Sequence, residues 1–213
     1  MHEALGARLD GLLRARQNPR CLRIGLGGGS GSGKSTVAAL IRQHLLPLTT
    51  EVVGLDRFFR PAEQLPRYHS AHLAGPQPDY NAPDSLQVAE MVAHCRQYPE
   101  AEVHLLDGHF SLHYPELRAL MDLRLFVAAD LELMLERRTA RNLAAGYGGS
   151  HEHILAYNRE CVVPGYLGYI EPSRRFADLE IPNGEADTAA RDTLIAALCQ
   201  HIRLAFAPPR PGC

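Results

Sequence analysis

The sequence predicts an α/β fold with a mostly parallel central sheet. Three observations carry this. Short apolar runs rich in Val, Ile and Leu alternate with stretches whose apolar residues recur at helical spacing. Glycine and proline punctuate the joints between them. Finally, the 213 residues contain no repeat, no second composition regime and no linker, so one domain spanning 1–213 is expected.

The elements read in order as follows. Residues about 3–16 are an amphipathic helix without the apolar core or cleavage site of a secretory signal. Residues 20–26 (RCLRIGL) are a buried strand, 34–46 a helix stopped by Pro47, and 50–55 a second strand. The stretch 56–83 holds Pro61, Pro66, Pro76, Pro78 and Pro83 and no sustained period; its part 57–83 is read as a substrate loop. A helix is expected at 84–97 with Asp84 as N-cap. Strands follow at 102–106 and 122–128, a helix at 130–144, a glycine-rich turn, and a helix at 150–161. A short strand at 178–181, a closing helix at 186–206 and a frayed tail complete the chain, with a lid expected over about 137–150.

Composition narrows the function classes. Hydrophobic residues are 46 % and charged residues 22 %, ordinary for a globular domain. A formal charge of −2 gives no electrostatic footprint for a nucleic-acid polymer or an anionic membrane. No apolar run approaches the ~18 residues of a membrane span. The cysteines Cys21, Cys95, Cys161, Cys199 and Cys213 are odd in number and widely spaced, which reads as reduced thiols of a cytoplasmic protein. His69/His72, His109/His113 and His151/His153 lack a third ligand at zinc spacing and read as surface or loop residues, with His109 also a substrate candidate. The leading and closing helices are candidate pairing surfaces for a homo-oligomer.

All but one of the 22 basic residues are arginine; the single lysine is Lys34. It lies in Gly28-Gly29-Ser30-Gly31-Ser32-Gly33-Lys34-Ser35, which fits G-x-x-x-x-G-K-[ST] between a predicted strand and a predicted helix. Glycines let successive amides turn inward on a phosphate, and the helix start adds its positive end. Lys34 reaches the β and γ phosphates, Ser35 offers a hydroxyl to Mg²⁺, and Thr36 follows. A glycine–serine linker would not sit between strand and helix, and a dinucleotide fingerprint would need glycine where Lys34 stands. The fold is therefore expected to be of the P-loop NTPase type, three-layered with a helical lid, and the ligands ATP and Mg²⁺.

Two acids end strands, where open α/β sheets gather ligands. Asp56 ends the second strand and Asp107 the third. Asp56 is assigned as the base for an attacking hydroxyl and Asp107 as the metal-side acid with Ser35, the exchange of roles being the alternative. Arg137, Arg138 and Arg141 lie at i,i+3 and i,i+4 spacing on one helix, a repulsion of roughly a few tenths of a kcal/mol that a polyphosphate would reverse.

In this combination the chain resembles the uridine kinase, nicotinamide riboside kinase and phosphoribulokinase family of P-loop small-molecule kinases, and is most similar overall to uridine kinases. The likeness covers roughly 22–184. Asp56-Arg57-Phe58-Phe59 is similar to that family's D-x-F-[YF], Asp79-Tyr80-Asn81-Ala82-Pro83-Asp84 to its N-F-D-H-P-D, and Asp107-Gly108 to its Glu-Gly. Arg137-Arg138-x-x-Arg141 resembles its lid arginines, and Pro172 through Gly184 its closing P-S-K-x-Y-A-D-x-I-I-P-x-G. The resemblance implies phosphoryl transfer from ATP to a primary hydroxyl of a nucleoside, uridine or cytidine first. Lys34, Asp56, Arg138 and Arg141 would be catalytic, and Gly28 to Thr36 with Arg137 would hold the nucleotide. Asp56, Phe59, Asp79, Tyr80, Asn81 and His109 would meet the substrate, with Tyr147 and Tyr166 as further stacking candidates. Departures leave a kinase for nicotinamide riboside or another small alcohol, or a regulatory ATPase, as alternatives. The ribose-gripping acid is Asn81, the segment between Gln97 and Asp107 is too short for a base-covering hairpin, and Ala145-Gly146-Tyr147 replaces an R-G-R.

Overall fold

The computed structural model describes residues 2–97 and 100–207, with side chains from residue 6 onward. Its strands are β1 (Leu22–Gly27), β2 (Thr50–Gly54), β3 (Arg67–His69), β4 (Pro76–Pro78), β5 (Val103–Asp107), β6 (Leu123–Ala128) and β7 (Leu179–Pro182). The main helices are α1 (His2–Arg14), α2 (Lys34–Leu45), α3 (Val88–Arg96), α4 (Pro115–Arg118), α5 (Leu131–Ala145), α6 (His151–Tyr157) and the closing helix Thr188–Phe206.

Five strands form one parallel sheet in the order β2-β5-β1-β6-β7. All six residues of β1 are buried, as expected of a strand covered on both faces. Period-two alternation sorts neighbours to opposite sides. Val103 and Leu105 of β5 pack with Leu9, Ile41 and Leu198, under α1, α2 and the closing helix. Leu106 faces the other layer, with Phe58, Met91, Phe110 and Leu117. That gives the three expected layers. The chain turns back on either side of β1, so the carboxyl ends of β1, β2, β5 and β7 open on one crevice at the topological switch.

Several readings shift. The stretch 56–83 is not without regular structure: β3 and β4 form an antiparallel ribbon, Arg67↔Pro78 to His69↔Pro76. A two-stranded ribbon leaves outward edges where a proline, lacking N–H, breaks no ladder. Asp84 is not a helix cap; it sits in the 3₁₀ turn Pro83–Ser85, and α3 starts after Gln87. The helix expected at 150–161 continues past Tyr157 through π turns at Asn158–Val162 and Tyr166–Ile170 to Ser173. Pro164 and Pro172 cannot sustain the ordinary ladder, and the wider turns absorb the break.

The terminal helices pack on each other within the chain, through Leu9, Leu13, Leu198 and Ile202. His201 Nδ1 lies 2.8 Å from Asp10 Oδ1 across that seam. Cys21, Cys95, Cys161 and Cys199 are free buried thiols; Cys213 and the tail read as frayed lie outside the described residues. No helix of the described residues is long and apolar enough to cross a membrane.

Candidate active site

The loop between β1 and α2 is held in a shape only glycine permits. Gly31 and Gly33 have φ of +90° and +91°. A Cβ there would lie 2.1 Å from the Met134 carbonyl oxygen and from Asn183 Nδ2 respectively. Ser32 N closes the turn onto the Gly29 carbonyl at 3.0 Å. Lys34 Nζ donates to the Gly28 and Gly29 carbonyls, both at 2.9 Å. Burial lowers the Lys34 pKa, and Asp107 and Asp56 pull it back. At the end of β5, Asp107 Oδ2 accepts from Ser35 Oγ at 3.1 Å. Burial pushes the Asp107 carboxyl up, with Lys34 and Ser35 opposing.

Asp56 sits on the 3₁₀ turn Leu55–Phe58 that ends β2. Its side chain is 69 % exposed, and its Oδ1 lies 3.6 Å from His109 Nδ1. Desolvation would raise this carboxyl, but His109, Lys34 and Arg141 together hold it below the ordinary carboxylate value. His109 is only 11 % exposed, and its Nε2 is buried without a partner. The surface reading of this histidine is therefore corrected: it follows Asp107-Gly108 off the sheet and turns inward beside Asp56.

A cavity of about 520 Å³ joins these groups, lined by Ser30, Gly31, Gly33, Lys34, Ser35 and Thr36 on one side and by Asp56, Asp107, His109, Arg137 and Arg141 on the other. Arg141 Nη2 donates to Ser30 Oγ at 3.1 Å. Arg137 Nη1 donates to the Asn183 carbonyl at 2.9 Å. Arg138, expected beside them, does not line this cavity. Residues i and i+4 share a helix face and i+1 is turned ~100° away. Its Nη1 instead donates to Asn158 Oδ1 at 2.5 Å, and its guanidinium lies over the Tyr157 ring at 5.4 Å.

Arg138 faces a second cavity of about 580 Å³ between the β3–β4 ribbon and the α5–α6 helices, where Tyr68, Tyr80, Tyr147, Tyr157, Leu73 and Ile154 form much of the wall. A run of ring contacts links one cavity wall to the other: Tyr80 meets Phe59 edge-on at 5.1 Å, and Phe59 lies 6.0 Å from His109. The ribbon is strapped down. Glu160 accepts from Ser70 Oγ at 2.6 Å and from the Ala71 amide at 2.9 Å. The Tyr157 hydroxyl accepts from the Tyr80 amide and Asn81 Nδ2, both at 3.0 Å. Of the expected substrate residues, Asp56 and His109 line the first cavity and Tyr80 the second, and Phe59 lies between them in ring contact with Tyr80 and His109. Asp79 and Asn81 line neither of the two: Asn81 is buried, and Asp79 Oδ1 accepts its amide at 2.7 Å. Tyr166 is buried against Gly29 and donates to Glu171, so it packs rather than stacks on a ligand. No strand lies between α3 and β5 among the described residues.

Sequence reading missed a brace behind the phosphate loop. Asn183 Nδ2 donates to the Ser32 carbonyl at 2.6 Å, and Asn183 Oδ1 accepts from Arg191 Nη1 at 2.8 Å. The closing run through Gly184 was legible as a family likeness, but nothing local pointed to Arg191. Tyr157 and Glu160 were likewise silent, since their partners are some 76 to 90 positions away.

Residues 64–190 match the Phosphoribulokinase / Uridine kinase family. The chain belongs to this family. The matched stretch begins after the phosphate loop, so motif and family point the same way from different residues. A uridine kinase of Deinococcus deserti is 31 % identical over 196 residues, covering 82 % of this chain and 94 % of that one. A uridine kinase of Shewanella amazonensis is 27 % identical, covering 86 % and 97 %. Among solved structures, a candidate fructose transport system kinase from Silicibacter sp. TM1040 superposes with a TM-score of 0.58 at 23 % identity, covering 83 % of this chain and 98 % of that one. Shikimate kinase from Acinetobacter baumannii gives 0.51 at 16 %, covering 86 % and 94 %; these two likenesses concern the fold. The protein is an ATP-dependent small-molecule kinase of the P-loop fold.

Proposed function

We propose that this kinase transfers the γ-phosphoryl group of ATP to a primary hydroxyl of a nucleoside, uridine or cytidine first. The observation that carries the reading is the meeting of Lys34, Ser35, Asp56, Asp107, Arg137 and Arg141 around one cavity, joined through Phe59 and Tyr80 to a second, ring-lined one.

The residues present fit a nucleoside triphosphate and Mg²⁺. Gly31 and Gly33 hold the left-handed backbone that lets successive loop amides turn onto a phosphate, and Ser35 with Asp107 offers the hard oxygen donors that Mg²⁺ takes. When bound, Mg²⁺ neutralises charge on the β and γ phosphates. Lys34 exchanges its loop carbonyls for phosphate oxygens, and Arg141 and Arg137 face the charge that moves with the transferring group. The Asp56 carboxylate, held ionised by its neighbours, accepts the acceptor's hydroxyl proton. The freed oxygen bonds to the γ-phosphorus, the bond to the β–γ bridging oxygen breaks, and ADP leaves with that electron pair. The Asn183–Ser32 brace and the strapped ribbon keep donor and acceptor in line.

Asn81, turned into the fold, and the short 97–102 connection favour a second reading, an acceptor other than a pyrimidine nucleoside. An acceptor screen with ATP separates them: uridine, cytidine, nicotinamide riboside, pantothenate and ribulose 5-phosphate. One ADP per phosphorylated uridine or cytidine is expected. Exclusive use of another acceptor selects the second reading, and ADP formation that ignores every acceptor overturns both.

A further inference from the structure

We infer that His109 is the positioning residue for Asp56: its Nδ1 hydrogen-bonds one carboxylate oxygen and leaves the other aimed at the acceptor's hydroxyl. The inference rests on the reading of Asp56 as the base given above. A base at a cavity rim needs such a hold. The Asp56 side chain is 69 % exposed and leaves the end of β2 on a single 3₁₀ turn. Unheld, its carboxylate would turn among several rotamers, few of them in line with an incoming hydroxyl. The cations of the phosphate cavity are engaged elsewhere, Lys34 by the Gly28 and Gly29 carbonyls and Arg141 by Ser30. Among the described residues, the basic side chain paired with the Asp56 carboxylate is His109, with Nδ1 3.6 Å from Oδ1.

The imidazole, by contrast, is fixed in place. Its ring centroid lies 4.2 Å from that of the buried Phe110 and 6.0 Å from that of Phe59. Gly108 draws its backbone in: a Cβ there would lie 2.7 Å from Leu55 Cβ, so glycine lets this loop close on the turn that carries Asp56. His109 Nε2 is buried without a partner. A single ring proton on Nε2 would be a buried donor with no acceptor. On Nδ1 it faces a carboxylate, and Nδ1 donates from the doubly protonated ring as well. The separation exceeds a formed hydrogen bond by roughly half an ångström, and such contacts tighten when reactants fill a site. His109 therefore stays off the reacting atoms. It acts through Asp56, whose free oxygen Oδ2 takes the hydroxyl proton.

Two variants separate the donor from the ring: His109→Phe keeps a ring without a donor, and His109→Asn keeps a donor without the ring. Steady-state kcat and KM are measured with ATP and uridine for both, in the wild-type and Asp56→Asn backgrounds. The imidazole nitrogen NMR signals of the ligand-free protein are read alongside, with His109 assigned by its absence from His109→Asn. His109→Phe should lower kcat by about tenfold to hundredfold with both KM values within about twofold, and His109→Asn should keep most of the rate. In the Asp56→Asn background His109→Phe should change kcat by less than about threefold, since its target is already gone. The His109 Nδ1 should carry a proton, and its signal should move in Asp56→Asn. Near-wild-type kcat in His109→Phe, an equal loss in both variants, the same loss in the Asp56→Asn background, or a bare Nδ1 overturns the inference. Near-wild-type kcat in Asp56→Asn overturns the base reading and this inference with it; an inactive Asp56→Asn beside an active His109→Phe overturns this inference alone. If uridine is not phosphorylated, the choice of acceptor fails and the imidazole signals decide.

Discussion

The phosphate cavity and the ring-lined cavity lie side by side and are built on different principles. The first is assembled at strand ends, from main-chain amides and residues fixed by the parallel sheet; Asp107 ends β5, Asp56 follows β2 on a 3₁₀ turn, and Lys34 opens α2 after the loop from β1. The second is assembled from a two-stranded ribbon and a helical run that meet through Glu160, Tyr157 and a few hydrogen bonds. On the proposed reading, phosphoryl transfer belongs to the cavity built on the sheet, and acceptor choice to the one held by loop and helix side chains.

That contrast can be broken in graded steps. Asp56→Asn should lower kcat by about 10²–10⁴ while leaving the KM for ATP nearly unchanged, because it removes the proposed base and not the phosphate cradle. Lys34→Ala should cost about 10²–10³ in kcat and also weaken ATP binding, measured by initial rates and nucleotide titration. Asn183→Ala leaves the Ser32 carbonyl and Arg191 without their buried partner; a loss of about 1–3 kcal/mol in denaturant unfolding and a raised KM for ATP are expected. Glu160→Gln should raise the acceptor KM a few-fold with ATP kinetics intact, which would sharpen the division between the two cavities. A parallel rise in the KM for ATP would blur it.

The strap also has a pH sign. The Ser70 hydrogen bond holds the Glu160 carboxyl below its ordinary value against desolvation, with the Ala71 amide and His72 assisting. A group whose folded pKa is depressed contributes fully above its unfolded value and loses that contribution as pH falls through the folded pKa. Hydrogen exchange at the Ala71 amide, corrected for intrinsic rate, should therefore accelerate as pH drops below the ordinary glutamate range. The Glu160→Gln variant should show no such step.

The same contrast explains what could be read from the sequence. The sheet strands and the phosphate loop were legible because their signals are local: apolar runs, a glycine register and one lysine. Asp56 and Asp107 were legible because strand ends converge at one edge of such a sheet. Arg138 was misplaced because its spacing to Arg141 suits either face until the helix is set against its neighbours. The β3–β4 ribbon and the π turns through Ser173 were missed because prolines mark breaks without saying what crosses them. Tyr157, Glu160 and Arg191 act only through distant partners, which no local pattern records.

The most direct test of the account is the stoichiometry and rate of ADP release at saturating ATP, with and without an accepted acceptor, for wild type and Asp56→Asn side by side. The account predicts one phosphorylated product per ADP, negligible ADP without acceptor, and a kcat for Asp56→Asn lower by about 10²–10⁴ with ATP binding preserved. A near-wild-type kcat in Asp56→Asn, or vigorous ADP release with no acceptor present, would contradict it.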